Sequence, residues 1–220
     1  MELLSLNIGV PRTLGDANAV DPMRKEWTSG ILKESVVGPL FLGRFNLKGD
    51  QQADQENHGG PDKAVNAYPA EHYSHWQATL GIANMPYGAF GENFTTSGLL
   101  EENVFIGDVF QVGDALVQIS QPRRPCWKLA RRWQVKDLAA QVQKAGFTGW
   151  YFRVLREGMV EAGMSFSRVE QGDTQWSVTE ANAVMFHRKN DLAAASSLAS
   201  HPALSQSWRD ALLQRVERGV

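Results

Sequence analysis

The sequence has little cysteine, little net charge and no long apolar run. One cysteine, Cys126, among 220 residues excludes an intramolecular disulfide framework and favours a reducing compartment. A net charge of -2 gives the whole chain no electrostatic reason to bind nucleic acid or an acidic membrane. No uncharged apolar run approaches the ~18 residues of a membrane span, and the N-terminus lacks the basic and apolar segments of a signal peptide. We therefore expect a cytoplasmic protein that binds neither nucleic acid nor a membrane.

Short apolar runs separated by glycine, proline and aspartate dominate the first 170 residues. This pattern predicts strands, at residues 3–9, 35–45, 104–106, 109–112, 115–119, 149–155 and 165–169. Helical spacing predicts two helices among them, at 70–80 and at 135–145, the second ending at Gly146. The predicted fold class is mainly β with α, in which hairpins close into a β-barrel because closure removes exposed strand edges.

The pattern changes beyond Gly172. Ser177 and Glu180 form a possible capping box that opens a helix, and two further helices are predicted at about 192–199 and 207–216. We expect a β-barrel domain at 1–172 and a three-helix extension at 173–220.

A basic segment surrounds the cysteine. Residues 121–132 hold five basic residues and no acid. Pro125 is expected at the first helical position, which places Cys126 in the first turn, where cations and peptide dipoles favour a metal-binding or nucleophilic thiolate. The alternative is a solvated basic helix face above a buried, inert cysteine.

Two further segments are candidate binding sites. Residues 58–63, His-Gly-Gly-Pro-Asp-Lys, suit a phosphate cradle, in which the glycine N-H groups and the charge of Lys63 face an anion, but they also suit an ordinary turn. His58 is expected to donate a loop hydrogen bond rather than bind a metal, because no second ligand stands at a suitable spacing. Residues 88–98 carry polar groups that can bind a heterocycle, or they form an edge strand.

Several motifs stand together in one order along the chain. They are 58–64 (HGGPDKA), Tyr68, 71–73 (EHY), 91–95 (GENFT), 106–108 (IGD) and 121–129 (QPRRPCWKL). In this order they resemble the MOSC domain family, in its YiiM-like branch, over about residues 1–170. The tail resembles the three-helix extension of that branch.

The resemblance implies a pyruvate-kinase-barrel-like core that holds the molybdenum cofactor, molybdopterin, with the Cys126 sulfur as metal ligand. It also implies reduction of N-hydroxylated compounds such as hydroxylaminopurines and amidoximes. The expected cofactor contacts are His58, Gly59, Gly60, Lys63, Asn93, Thr95, Arg123, Arg124, Lys128 and Arg153.

The mitochondrial amidoxime reducers and the cofactor sulfurases of this family carry large N-terminal regions that this sequence lacks. One pocket wall is therefore expected from the C-terminal helices, a second subunit or solvent, and a homodimer is possible. No flavin, haem or iron-sulfur motif is visible, so a separate flavoprotein or iron-sulfur reductase is expected to supply electrons. The alternative function is a molybdopterin or sulfur carrier that uses Cys126 without N-reductive turnover.

Overall fold

The computed structural model describes residues 1–219, which form a mixed α+β fold. A large sheet of eight strands and two two-stranded ribbons hold the β-structure of these residues. The strands are β1 (Glu2–Ile8), β2 (Arg12–Leu14), β3 (Trp27–Ser29), β4 (Glu34–Val36), β5 (Leu40–Leu42), β6 (Val65–Pro69), β7 (Phe94–Ser97), β8 (Val109–Val112), β9 (Ala115–Pro122), β10 (Trp150–Arg156), β11 (Gly158–Val160) and β12 (Phe166–Glu170).

Seven α-helices are assigned within residues 1–219. They are α1 (Gln55–His58), α2 (Tyr73–Leu80), α3 (Trp127–Trp133), α4 (Leu138–Ala145), α5 (Val178–Asn182), α6 (Leu192–Ala199) and α7 (Gln206–Arg218). Short 3-10 turns occupy Pro61–Lys63 and Ala70–His72, and α5 continues as a π-helix over Ala183–His187. No helix in this part of the chain is both long enough and apolar enough to cross a membrane.

The strands of the large sheet follow the order β12-β8-β9-β10-β6-β7-β1-β4. Neighbours are antiparallel except β6 and β7, which are parallel. Backbone hydrogen bonds also link the two ends of this order, from Leu3 N to Met164 O (2.9 Å) and from Phe166 N to Met1 O (3.0 Å). The β12 edge therefore lies against the start of β1, while closure into a barrel stays a prediction.

Most predicted elements form, and one does not. The predicted helix at 70–80 is a 3-10 turn followed by α2, the 135–145 helix begins later, at Leu138, and the 192–199 helix is confirmed. The predicted strand at 104–106 is wrong. There the chain turns, because the Asp108 carboxylate accepts a hydrogen bond from Phe105 N (2.9 Å) and Gly107 adopts a φ of 92°.

The hydrophobic core is continuous from the sheet to the C-terminal helices. One cluster of buried side chains includes Leu3 of β1, Phe152 of β10, Leu198 of α6 and Trp208 of α7. Ser177 caps α5 as predicted, accepting from Glu180 N at 3.1 Å. The division into domains 1–172 and 173–220 stays a prediction.

We predict that Trp208 anchors α7 to this core. Trp208 is 2% exposed and packs against Phe186 at a ring distance of 6.0 Å, whereas Leu213 on the same helix is 40% exposed. Trp208→Ala should lower the free energy of unfolding by about 3–5 kcal/mol, because it leaves a large cavity. Leu213→Ala is the matched control and should cost less than about 1 kcal/mol. Urea denaturation measures both, and equal losses would contradict this role.

Candidate functional site

A cleft of about 600 Å³, including its open mouth, brings most of the predicted site residues together. Among the described residues that line it, five side chains are basic and one, Asp54, is acidic. The lining consists of Ser29, Gly30, Ile31, Lys33, Gln51, Gln52, Ala53, Asp54, His58, Lys63, Asn66, Gly91, Asn93, Arg123, Arg124, Cys126, Lys128 and Tyr151.

The end of β9 places the cysteine at this cleft. After Pro122 the chain stays extended, and Arg123 N donates to Gly149 O at 3.0 Å. Cys126 is half-buried and is the N-cap of α3, with φ -121° and ψ 165°. The prediction that the helix begins at Pro125 is therefore wrong by two residues, because the chain remains extended through the cysteine. Cys126 nonetheless lines the cleft.

Arg123 is a buried cation whose charge the fold leaves unneutralised. It is 4% exposed, and its Nη1 has no hydrogen-bond partner. Within residues 1–219 no carboxylate lies within 4.0 Å of its guanidinium. Burying a charge without a partner costs several kcal/mol, so such a group indicates a place for an anion.

The other basic residues add to this positive field. Lys128 is buried, and its Nζ lies 3.8 Å from Asp54 Oδ2, beyond hydrogen-bond distance. Lys63 Nζ donates to Asn57 O at 2.8 Å. Burial and then the charge of Arg124 lower the pKa of Lys63. Arg124 is exposed, and its guanidinium lies 5.8 Å from the Phe186 ring centroid, next to the C-terminal helices.

His58 lines the same cleft in its neutral form. Burial, then the charge of Lys128, lower its pKa to about 4, although Asp54 opposes this shift. Its Nδ1 lies 3.4 Å from Asp54 Oδ2 but makes no hydrogen bond. A neutral imidazole can offer a donor or an acceptor without adding positive charge.

An asparagine that the sequence reasoning missed offers a free acceptor. Asn66 of β6 is buried and lines the cleft, and its Nδ2 donates to Gly91 O at 3.2 Å. Its Oδ1 has no partner. The neighbouring Asn93, which was predicted, uses both ends of its amide in the fold, accepting from Asn66 N and donating to Asn7 O. Asn66 is therefore the side chain better able to accept from a ligand.

Four predicted contacts do not line the cleft. Thr95 is fully buried between Glu92 and Asn7, with both of which its hydroxyl is hydrogen-bonded. Arg153 pairs with Asp62 at 2.7 Å. Gly59 and Gly60 connect His58 to Lys63, but Gly59 N already donates to Gln55 O at 3.0 Å, so that N-H is not available for a phosphate cradle.

The first sixty residues supply one wall of the cleft, whereas the sequence led us to expect a wall from the C-terminal helices, a second subunit or solvent. Residues 29–31, Lys33 and residues 51–54 line the cleft, and among the described residues none after Tyr151 does so. A buried ion pair between Lys33 and Asp50 joins these two segments, and Asp50 also accepts from Gly9 N at 2.8 Å.

The residues of this cleft define a class of site. A half-buried thiol, an unneutralised arginine and a free amide acceptor suit a ligand that combines an anionic group, a heterocycle and a thiol-binding centre. Within residues 1–219, no cluster of three or more histidine, cysteine, aspartate or glutamate side chains could hold a metal ion. The thiol is therefore the one soft donor that the cleft itself supplies.

Comparison with known proteins agrees with this class. Residues 54–167 match the MOSC domain, and residues 176–219 match the YiiM-like 3-alpha helix domain. The chain belongs to the MOSC domain family, in its YiiM-like branch. YflK of Bacillus subtilis is 45% identical over 98% of this chain and 95% of its own length. The crystal structure of YiiM from Geobacillus stearothermophilus superposes with a TM-score of 0.81 and 38% identity, over 98% of each chain.

A more distant relative carries a functional name. A protein of Gibberella moniliformis named reductase is 36% identical over 170 residues, which cover 76% of this chain and 30% of the fungal protein.

We predict that His58 stays neutral to well below pH 6. Its folded pKa of about 4 lies below its ordinary value of 6.5, so folding disfavours the protonated form. Its contribution to stability is present above pH 6.5 and is lost as the pH falls towards 4. NMR titration of the imidazole resonances, assigned with His58→Gln, should show a midpoint near pH 4. A midpoint above 6 would contradict the desolvation described above.

Proposed function

We propose that this protein binds molybdopterin with molybdenum in the basic cleft, and that it reduces N-hydroxylated compounds such as hydroxylaminopurines and amidoximes. Membership of the MOSC family and the reductase name of the fungal relative support a redox function. The observation that carries the proposal is Arg123, buried and unneutralised in the cleft that Cys126 lines.

The residues of the cleft fit this cofactor. Arg123, Lys128 and Lys63 would hold its phosphate, because they line the cleft and no carboxylate of the described residues lies within hydrogen-bond distance of their side-chain nitrogens. Asn66 Oδ1 would accept from an N-H of the pterin ring. The Cys126 sulfur would bind molybdenum, which favours soft thiolate ligands. Arg124 and Asn93 line the cleft and stay proposed contacts, whereas the paired Arg153 and the fully buried Thr95 do not line it and are not proposed as contacts.

The chain would supply position, charge and hydrogen bonds, while the bound cofactor would supply two-electron redox chemistry. Reduction of an N-hydroxyl group consumes two electrons and two protons and releases the amine and water. His58 is neutral near pH 7, and burial raises the pKa of Tyr151. Both side chains can therefore hydrogen-bond to a neutral N-hydroxyl group without adding charge. Protons would come from water at the open mouth of the cleft.

The proposal extends to the fold and the partners. We propose that the large sheet closes into a barrel, which the hydrogen bonds between the start of β1 and β12 support. A separate reductase would deliver the electrons, since the sequence carries no motif for a second redox group. A cytoplasmic location and a homodimer remain part of the same proposal.

We predict that Cys126→Ala removes molybdenum. Protein made in a host that supplies the cofactor should contain about one molybdenum per chain, and the variant should lose most of it with the thiolate ligand. Elemental analysis measures the metal, and circular dichroism checks the fold. Wild-type metal content in the variant would overturn the ligand assignment. Metal without reduction of a hydroxylamine by a chemical electron donor would favour the carrier function.

We predict opposite effects of Arg123→Met on stability and on cofactor binding. Without cofactor, replacing a buried unpaired charge by an apolar chain of similar length should stabilise the protein by about 1–2 kcal/mol. Cofactor retention, followed by the fluorescence of the released and oxidised pterin, should fall about 10-fold or more as a charge-assisted contact is lost.

Arg153→Met is the matched control for this prediction. Arg153 is paired with Asp62 and does not line the cleft, so its loss should cost some stability and leave pterin retention near the wild-type value. Equal loss of pterin in both variants would show that general positive charge, rather than Arg123, holds the cofactor.

A further inference from the structure

The residue after the cysteine is an exposed tryptophan that the fold does not need for its core. Trp127 is 53% exposed, although large aromatic side chains are buried on average. It follows Cys126 directly, and consecutive Cα atoms are about 3.8 Å apart. The next residue, Lys128, lines the cleft, and its Nζ lies 6.0 Å from the Trp127 ring centroid. The indole therefore lies at the rim of the cleft.

Two neighbours hold this indole in place. The Arg131 guanidinium lies 5.0 Å from its centroid, as expected for side chains at i and i+4 of a helix. The Trp27 ring of β3 lies 5.6 Å away at an interplanar angle of 59°. Arg131 is itself anchored, since it donates to Lys25 O at 3.1 Å and to Pro22 O. An exposed ring with fixed supports loses little conformational freedom when a ligand binds.

The neighbours of this ring belong to two concave surfaces. The basic cleft contains Cys126 and Lys128. A second groove, mainly apolar, is lined by Leu14, Met23, Trp27, Leu32 and Arg131, among others. Trp127 lines neither surface itself, but its ring centroid lies 6.0 Å from Lys128 Nζ of the cleft, 5.0 Å from the Arg131 guanidinium of the groove and 5.6 Å from the Trp27 ring centroid.

We propose that Trp127 forms a stacking subsite for a planar heteroaromatic ring whose reacting substituent enters the cleft. This inference rests on the proposed function, because it assigns to that reaction a preference among N-hydroxylated substrates. A purine ring offers a flat π surface that stacks on indole, whereas a small aliphatic N-hydroxy compound does not. Neither kind of substrate carries a charge that the basic cleft could select, so stacking would provide the discrimination.

The first test measures binding without turnover. Adenine has the ring but no N-hydroxyl group, so its binding to the cofactor-loaded protein can be measured by isothermal titration calorimetry, which does not depend on the replaced tryptophan. We expect Trp127→Leu to weaken adenine binding about 10-fold and Trp127→Phe to weaken it less, because phenyl still stacks. Phe45→Leu is the control, since Phe45 is 59% exposed and, unlike Trp127, has no chain neighbour that lines the cleft or the groove. Wild-type affinity in Trp127→Leu, or no adenine binding by the wild type, would overturn the subsite.

The second test compares two substrates. For 6-hydroxylaminopurine, Trp127→Leu should raise KM about 10-fold with a smaller change in kcat, and KM for N-hydroxyurea should change less than about twofold. Equal changes of KM for both substrates would overturn the inference, because they would indicate a general disturbance of the site. In that case the Trp127→Phe variant would also change both KM values equally. Should the wild type reduce neither compound, the proposed reaction fails while adenine binding still decides on the subsite.

Discussion

The unneutralised charge of Arg123 is the constraint on which the rest of the site depends. The backbone N-H of Arg123 donates to Gly149 O beside the β9–β10 ladder, and the residue is buried there. No carboxylate of residues 1–219 lies within 4.0 Å to offset its burial. A protein selected for stability alone would replace this side chain, since an unpaired buried cation opposes folding. Its presence indicates that an anionic ligand is meant to complete the structure.

The walls of the cleft are held together by polar side chains that are hydrogen-bonded or ion-paired within the fold. The buried Lys33–Asp50 pair joins the two N-terminal segments of the wall. Arg132 of α3 donates to Ile31 O and to Gly88 O, both at 2.7 Å, and so fastens the cysteine-bearing helix to the same wall. Glu92 lies at the centre of this region and accepts from Gly88 N, Phe90 N and the Thr95 hydroxyl. These satisfied polar groups leave the unsatisfied ones of the cleft, on Arg123, Asn66 and His58, as the places where a ligand adds bonds.

The basic segment and most helices could be predicted from the sequence. The ligand contacts could not be predicted where two residues of the same type differ only in their hydrogen-bond or ion-pair partners. The clustering of Arg123, Cys126 and Lys128 is visible in the chain itself, because neighbours in sequence stay neighbours in space. Asn93 and Asn66 cannot be told apart in this way, since the fold uses both ends of one amide and leaves an oxygen of the other free. Arg153 similarly reads as a free cation until its pair with Asp62 is seen. The N-terminal wall was missed because a long-range ion pair leaves no local pattern.

In α3, the helix that follows Cys126, different residues would provide affinity for the cofactor and selectivity among substrates. Successive residues of an α-helix point about 100° apart, so Lys128 can face the cleft while Trp127 and Arg131 share a different side. Basic groups attract an anionic cofactor through its charge, but they cannot distinguish among neutral substrates. An aromatic surface does the opposite, because stacking depends on the shape of a ring and hardly on charge. Placing both functions on one seven-residue helix, directly after the sulfur, fixes the proposed substrate ring relative to the proposed metal ligand. Arg131 and Arg132 hold α3 in place through their hydrogen bonds. A rigid α3 would keep the stacked substrate ring at a fixed distance from Cys126, where reduction is proposed to occur.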